Sequence, residues 1–231
     1  MGHKKRNGLG RLRGIAAGLA AAAALGPGVT LAADVPLPEA IETEAVAARF
    51  TRAENALAKA IARSDAATLR VFACDCAARV APLYERAGCS AKLLRQARAR
   101  AIESPVVPPE PLIIDGAATL ALGEIVFERG YQHVLRLENQ VPADPTQIVN
   151  GEDQPARMLA VAMVVARAID DAVLIASGGS LSRIDNMCNA IGEAVYLDHL
   201  FRRGERAPAI KAVFRELAWQ RAHLRALQSN A

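Results

Sequence analysis

Aromatic side chains are scarce in this sequence. Phe, Trp and Tyr together make up 4% of the 231 residues, and there is one tryptophan. Small side chains, alanine above all, favour helices that pack at close distance over sheets that bury large aromatic residues. We therefore predict an all-α fold.

Motifs that mark common enzymes are also missing. No Cys-x-x-Cys pair is present, so a thioredoxin-like redox role and covalent haem attachment have no support. No serine lies in a Gly-x-Ser-x-Gly turn, and the glycine pair at residues 178–179 lacks the following lysine of a phosphate loop. We therefore expect no cofactor and no metal, and no catalytic residue can be named. A non-enzymatic role is favoured.

The first 33 residues have the pattern of a secretory signal. A basic start is followed by an apolar stretch at residues 14–25, which is too short for a stable membrane anchor. Gly26 and Pro27 then break the helix, and small residues precede Asp34. We predict that residues 1–33 are a cleaved signal peptide and that residues 34–231 form a single helical domain. The location would be the periplasm or outside the cell.

The net positive charge is concentrated in that predicted signal. The whole chain has 28 Lys and Arg against 24 Asp and Glu. The first 33 residues contain five of the basic residues and no acidic one, which leaves 23 basic against 24 acidic side chains. A global positive field that would attract nucleic acid is therefore absent from the predicted domain, and we expect no nucleic-acid partner.

Apolar residues recur at helical spacing through most of the predicted domain. Helices are expected at residues 41–63, 66–81, 91–103, 156–177, 182–203 and 209–227. Ser64 and Asp65 are the candidate N-caps of the second helix, and Pro82 should end or kink it. Residues 115–139 favour a further helix, with a short β-hairpin near residues 125–137 as the alternative. The prediction is a single-domain bundle of about six or seven helices.

The most apolar of these segments, residues 156–177, is interrupted by Arg167, Asp170 and Asp171. Charges at such central positions argue against a membrane span, so we expect a core helix and no span after signal cleavage. The three charged residues either line a polar pocket or form one solvated stripe. Arg167 and Asp171 are spaced four apart and can pair with each other.

Four cysteines, all in the predicted exported part, favour two structural disulfides. On a helix, Cys74 and Cys76 point about 200° apart, so they can neither bridge each other nor bind one ion. Each would then need Cys89 or Cys188 as its partner. If Cys-Asp-Cys is extended instead, both sulfurs share a face and could bind Cu(I) with a nearby methionine. Free buried thiols are the remaining alternative.

Two groups of basic residues remain after the signal is removed. Arg95 and Arg98 belong to the third predicted helix, and Arg202 and Arg203 end the helix predicted at residues 182–203. If the groups converge in space, they form a possible anion-binding surface; otherwise they are exposed helix faces.

The leading hypothesis is an exported, non-enzymatic helical protein that acts through contacts with a periplasmic protein partner. A secreted all-α enzyme that binds a small anionic substrate through arginine is the alternative. A copper-binding protein is the third.

Overall fold

The computed structural model describes residues 38–103, 116–128 and 154–229, and this part of the chain is almost entirely helical. It contains seven α-helices and one 3₁₀ turn at Leu181–Arg183, with no strand among the described residues. The helices are α1 Pro38–Ile61, α2 Ala66–Arg86, α3 Lys92–Glu103, α4 Ala117–Glu128, α5 Gln154–Ala176, α6 Ile184–Arg203 and α7 Arg206–Ser229. The all-α prediction is confirmed.

The helix boundaries follow from local chemistry. Asp65 caps α2, because its carboxylate accepts hydrogen bonds from the amide (2.9 Å) and the hydroxyl (2.7 Å) of Thr68. Gly204 ends α6 with a left-handed φ of 69°, which an L side chain rarely adopts, and its amide donates to the Leu200 carbonyl. The predicted cap at Asp65 is thus confirmed.

Pro82 does not end α2, which continues to Arg86. Tyr84 lies in the turn beyond the proline and is buried, so tertiary packing maintains the helix despite the missing amide donor. The ambiguous segment is helical at Ala117–Glu128, which covers the first strand of the alternative hairpin. The rest of that hairpin and the predicted signal lie outside the described residues.

The apolar helix α5 is the centre of the bundle. It packs against α2, α3, α4 and α6, while α7 packs against α1, α2 and α6. Many of its buried residues are alanine, including Ala162, Ala166 and Ala168, which allows close helix approach. The prediction of a central core helix is confirmed. None of the helices in the described ranges combines the length and hydrophobicity that a membrane crossing requires.

None of the four cysteines, all within the described residues, forms a disulfide in the structure, which does not support the predicted disulfide staples. Cys74, Cys76 and Cys188 are buried in the core, and Cys89 is half-buried. Because α2 continues past Pro82, its axis rises about 16 Å between Cys76 and Ala87. Two more residues span at most about 7 Å, so Cys89 stays beyond bridging distance of Cys76 and of Cys74.

Candidate functional site

A group of polar and aromatic side chains lies where α2, α3 and α7 meet, and we call it the polar seam. It consists of Asp75 and Arg79 on α2, Arg98 on α3, and Glu216, Trp219, Gln220 and His223 on α7. On α7 these residues follow a spacing of three and four, which places them on one side of the helix. The seam therefore arises from two helix faces that pack against each other.

Asp75 joins the three helices through one carboxylate. Its Oδ1 accepts a hydrogen bond from Arg98 Nε at 2.5 Å, and its Oδ2 lies 2.8 Å from His223 Nε2. Because a carboxylate only accepts, Nε2 carries the hydrogen and Nδ1 remains available for another partner. The Asp75 side chain is 11% exposed and that of His223 is 25% exposed. Asp75 thus fixes the orientation of a half-exposed imidazole.

Aromatic rings stack against His223. The Trp219 and His223 ring centroids are 4.7 Å apart with planes 12° from parallel, and the Phe72 ring centroid lies 6.4 Å from that of His223. Arg79 lies over Trp219, with Cζ 4.0 Å from the ring centroid. Stacking and cation–π attraction stabilise these contacts.

Glu216 places a second carboxylate inside the seam. It is 5% exposed, and Arg79 Nε lies 3.3 Å from its Oε1 and 3.1 Å from its Oε2. Gln220 is fully buried and donates from Nε2 to Glu216 at 3.4 Å, while its Oε1 has no hydrogen-bond partner in the described part of the chain. A buried charge is tolerated only when it is paired, so Arg79 stabilises Glu216.

The buried thiols next to the seam are poor nucleophiles. Burial raises the pKa of Cys74 to about 12, with a smaller contribution from the charge of Asp75. Burial also raises the pKa of Cys76, which interacts with Cys188 and Glu216, and that of Cys188. A thiol attacks electrophiles as its thiolate, so the raised pKa values lower the reactivity of all three cysteines. Cys74 and Cys76 lie on a helix, so the extended geometry required by the copper alternative is not present.

No three His, Cys, Asp or Glu side chains within the described ranges are grouped so that they would bind a metal ion.

Asp170 and Asp171, predicted to line one polar pocket, bind different partners. Asp170 Oδ1 accepts from the amide of Ala118 at 2.8 Å, and Oδ2 accepts from the amide (3.0 Å) and hydroxyl (2.6 Å) of Thr119. Asp171 accepts from Arg183 Nη1 at 2.8 Å. Asp170 thus caps α4, and Asp171 ties α5 to the 3₁₀ turn. Arg167, the third predicted member, is half-buried on α5.

The predicted anion-binding arginines are mostly engaged with carboxylates. Arg95 pairs with Glu85 at 2.7 Å, and Arg98 with Asp75. Arg202 binds Asp198, which also accepts from Arg86 at 3.1 Å. Arg203 is exposed. Across the described ranges, no shared partner joins the pair on α3 to the pair on α6.

His223, Arg79, Trp219 and Glu216 were not predicted as a site. The usable signal was a glutamate and a glutamine within the apolar stripe of α7, beside Val213, Leu217 and Leu224. On α2, the sequence offered a second signal, the oppositely charged pair Asp75 and Arg79 at a spacing of four residues.

Comparisons with protein families, with curated proteins and with solved structures found no match to this chain. Its function is therefore argued from the geometry alone.

Proposed function

We propose that the chain is an exported, non-enzymatic helical protein that acts by docking on a protein partner through α3 and α4. The observation that carries this proposal is the outer side of α4. Its sequence is apolar all round apart from Thr119, Glu124 and Glu128, a pattern typical of helices covered on every side. Yet Leu120 is 60% exposed in the described structure.

A further exposed apolar side chain lies in the first turn of α3, where Leu93 is 37% exposed. Ile102 is 52% exposed, but it lies nine residues later and on the opposite side of α3. The first turns of both helices are tied to the same end of α2, because Arg95 on α3 pairs with Glu85 and Tyr84 donates to the Ala118 carbonyl of α4. We call Leu93 and Leu120 the α3–α4 face.

The charge around this face differs between the two helices. Lys92 and Arg100 are exposed near Leu93 on α3, and Glu124 is exposed one turn from Leu120 on α4. Charge complementarity favours a partner that presents acidic side chains opposite α3 and apolar ones opposite Leu93 and Leu120. The non-enzymatic part of the proposal is supported by the use of Asp170 and Asp171 in structural contacts and by the raised pKa values of the buried thiols.

Site-specific photocrosslinking in cells tests the docking proposal. A photoreactive residue at position 93 or 120 should crosslink to one and the same acidic protein, and the same probe at the exposed Lys211 on α7 should not. With that partner purified, Leu120→Glu should weaken binding at least about tenfold, because it places a carboxylate in an apolar contact. Adducts only within the chain itself, or equal capture from position 211, would contradict the proposal.

Export is tested separately by cell fractionation and by the mass of the recovered protein. We expect a periplasmic protein that has lost about 33 N-terminal residues. An intact Met1 on protein from the cytosol would refute export while leaving the docking surface to be judged by crosslinking.

A further inference from the structure

The polar seam contains more charge than helix packing requires. Apolar residues of similar volume could fill the contact between α2 and α7, and replacement of a buried ion pair by such residues is often neutral or stabilising. Asp75 and Glu216 are nevertheless nearly buried there, each held by a guanidinium. The arrangement orients Arg79, Arg98 and His223 at the edge of the seam.

Both guanidinium groups have donors to spare. Arg79 and Arg98 each bind their carboxylate through Nε alone, and their Nη1 and Nη2 atoms make no hydrogen bond within the described residues. Their side chains are 42% and 47% exposed. The Nη pair of an arginine matches the spacing of two oxygens in a carboxylate or phosphate group. Each arginine therefore offers a fixed, accessible fork to an anion.

The charges of the seam are balanced until His223 binds a proton. Asp75 and Glu216 offset Arg79 and Arg98, and the nearby Cys74 stays neutral because burial raises its pKa. Protonation of His223 adds one positive charge and turns Nδ1 into a donor. Since Arg98 and His223 share the carboxylate of Asp75, the added charge lies next to the Arg98 fork.

We infer that the Arg98 and His223 side chains form a binding site for a small oxyanion, a carboxylate or a phosphate, with Asp75, which contacts both, as the positioning residue. Affinity increases when His223 is protonated. This site is separate from the α3–α4 face and does not depend on the proposed docking function.

Trp219 provides a direct readout, because it is the one tryptophan in the sequence and stacks on His223. The full chain is titrated with sulfate and, separately, with acetate, at pH 5.5 and 7.5 and constant ionic strength. Sulfate represents phosphate because it is tetrahedral and its charge does not change between these pH values. We expect a saturable change in Trp219 fluorescence, with a lower dissociation constant for the anion at pH 5.5 than at pH 7.5. The anion that binds more tightly identifies the ligand class.

Arg98→Gln should weaken anion binding about tenfold, the usual effect of losing one charge-assisted hydrogen bond. Arg95→Gln is the matched control, because it removes the same charge from the same helix at a residue paired with Glu85. His223→Gln should abolish the pH dependence. Circular dichroism establishes that each variant is folded, and Arg98→Lys, which keeps the charge and loses the fork, provides a milder test.

Three results would overturn the site. One is no saturable binding of either anion at pH 5.5. Another is an equal loss of affinity in Arg95→Gln and Arg98→Gln, which would indicate diffuse attraction. The third is unchanged pH dependence in a folded His223→Gln variant.

Discussion

Asp170 on α5 caps the first turn of α4 through Thr119, which lies 51 residues earlier in the chain. The Thr119 amide and hydroxyl both donate to the Asp170 carboxylate, and the amide of Ala118 donates to its other oxygen. A negative charge at a helix N-terminus also interacts favourably with the helix dipole. A tertiary contact thus does what a local N-cap residue usually does, and it fixes α4 on the central helix.

Asp170→Ala should destabilise the protein by about 2 kcal/mol, because it removes a charged cap and leaves two amides of α4 without their acceptor. Urea unfolding followed by circular dichroism measures the change. Asp170→Asn keeps one acceptor oxygen and should cost less than Asp170→Ala.

Hydrogen exchange locates the effect of Asp170→Ala. The amides of Ala118 and Thr119 should exchange faster, while those in the middle of α2 should change only through the global loss of stability. Asp171→Asn is the matched control, since Asp171 is the neighbouring carboxylate and accepts a hydrogen bond from Arg183. Equal exchange at Ala118 and Thr119 in wild type and Asp170→Ala would contradict the capping role.

Tyr84→Phe should cost about 1 kcal/mol, because the Tyr84 hydroxyl donates to the Ala118 carbonyl at 3.0 Å in a buried position. Tyr196→Phe is the control. The Tyr196 hydroxyl is buried with no hydrogen-bond partner in the described residues, so its removal should be neutral or stabilising.

A double-mutant cycle extends the test. Tyr84 and Asp170 hold the same turn of α4, so Tyr84→Phe should cost less in the Asp170→Ala background than in the wild type. Additive effects would show that the two contacts act independently.

Features that depend on local sequence were predictable. The apolar run of α5 identified the core helix, and Asp65 marked the start of α2. The role of Asp170 was not predictable, because its partner is a helix end from a distant part of the chain. The spacing of residues along the sequence carries no information about that contact. The prediction that the helix could end at Pro82 was wrong for a related reason. The burial of Tyr84 in tertiary contacts overrides the tendency of proline to end a helix.

The polar seam was also not predictable, because it depends on contacts between distant parts of the chain. Its residues have helical spacing on α2 and on α7, but the sequence does not reveal that these two stripes face each other. The pairing of His223 with Asp75 joins residues 148 positions apart. The predicted disulfides are not supported. A bridge to Cys89 depended on a helix end at Pro82 that the structure does not have.

Thiol chemistry provides the third prediction. In denaturant without reductant, all four cysteines should react with a thiol reagent, and only two or none should react if disulfides form. In the native protein at pH 8, Cys89 should react first because it is half-buried. Cys74, Cys76 and Cys188 should react only as fast as the protein opens, because burial raises the pKa of each and excludes the reagent.

Cys89→Ser should remove the fast phase of that reaction and leave the slow phase unchanged. A fast phase that persists in Cys89→Ser would mean that a core thiol is accessible.

Acid should weaken the start of α2. Hydrogen bonds from the hydroxyl and the amide of Thr68 lower the pKa of Asp65 below its ordinary value of 3.8. A group whose pKa is lowered by folding contributes stability above its unfolded value, and this contribution is lost as the pH falls through the folded value. Asp65→Ala should therefore cost about 1 kcal/mol at pH 7, as typical for a lost N-cap, and less at pH 2.

Asp65→Ser separates the charge from the cap. Serine is also a good N-cap but does not titrate, so the difference in melting temperature between the wild type and Asp65→Ser should change between pH 4 and pH 2 and stay constant from pH 5 to 7. Thr68→Val removes the hydroxyl donor and should shift the acid transition of Asp65 toward its ordinary pKa, because the hydroxyl is the largest cause of the lowered value. An identical pH profile in wild type and Asp65→Ser would show that the carboxylate is not what stabilises this helix end.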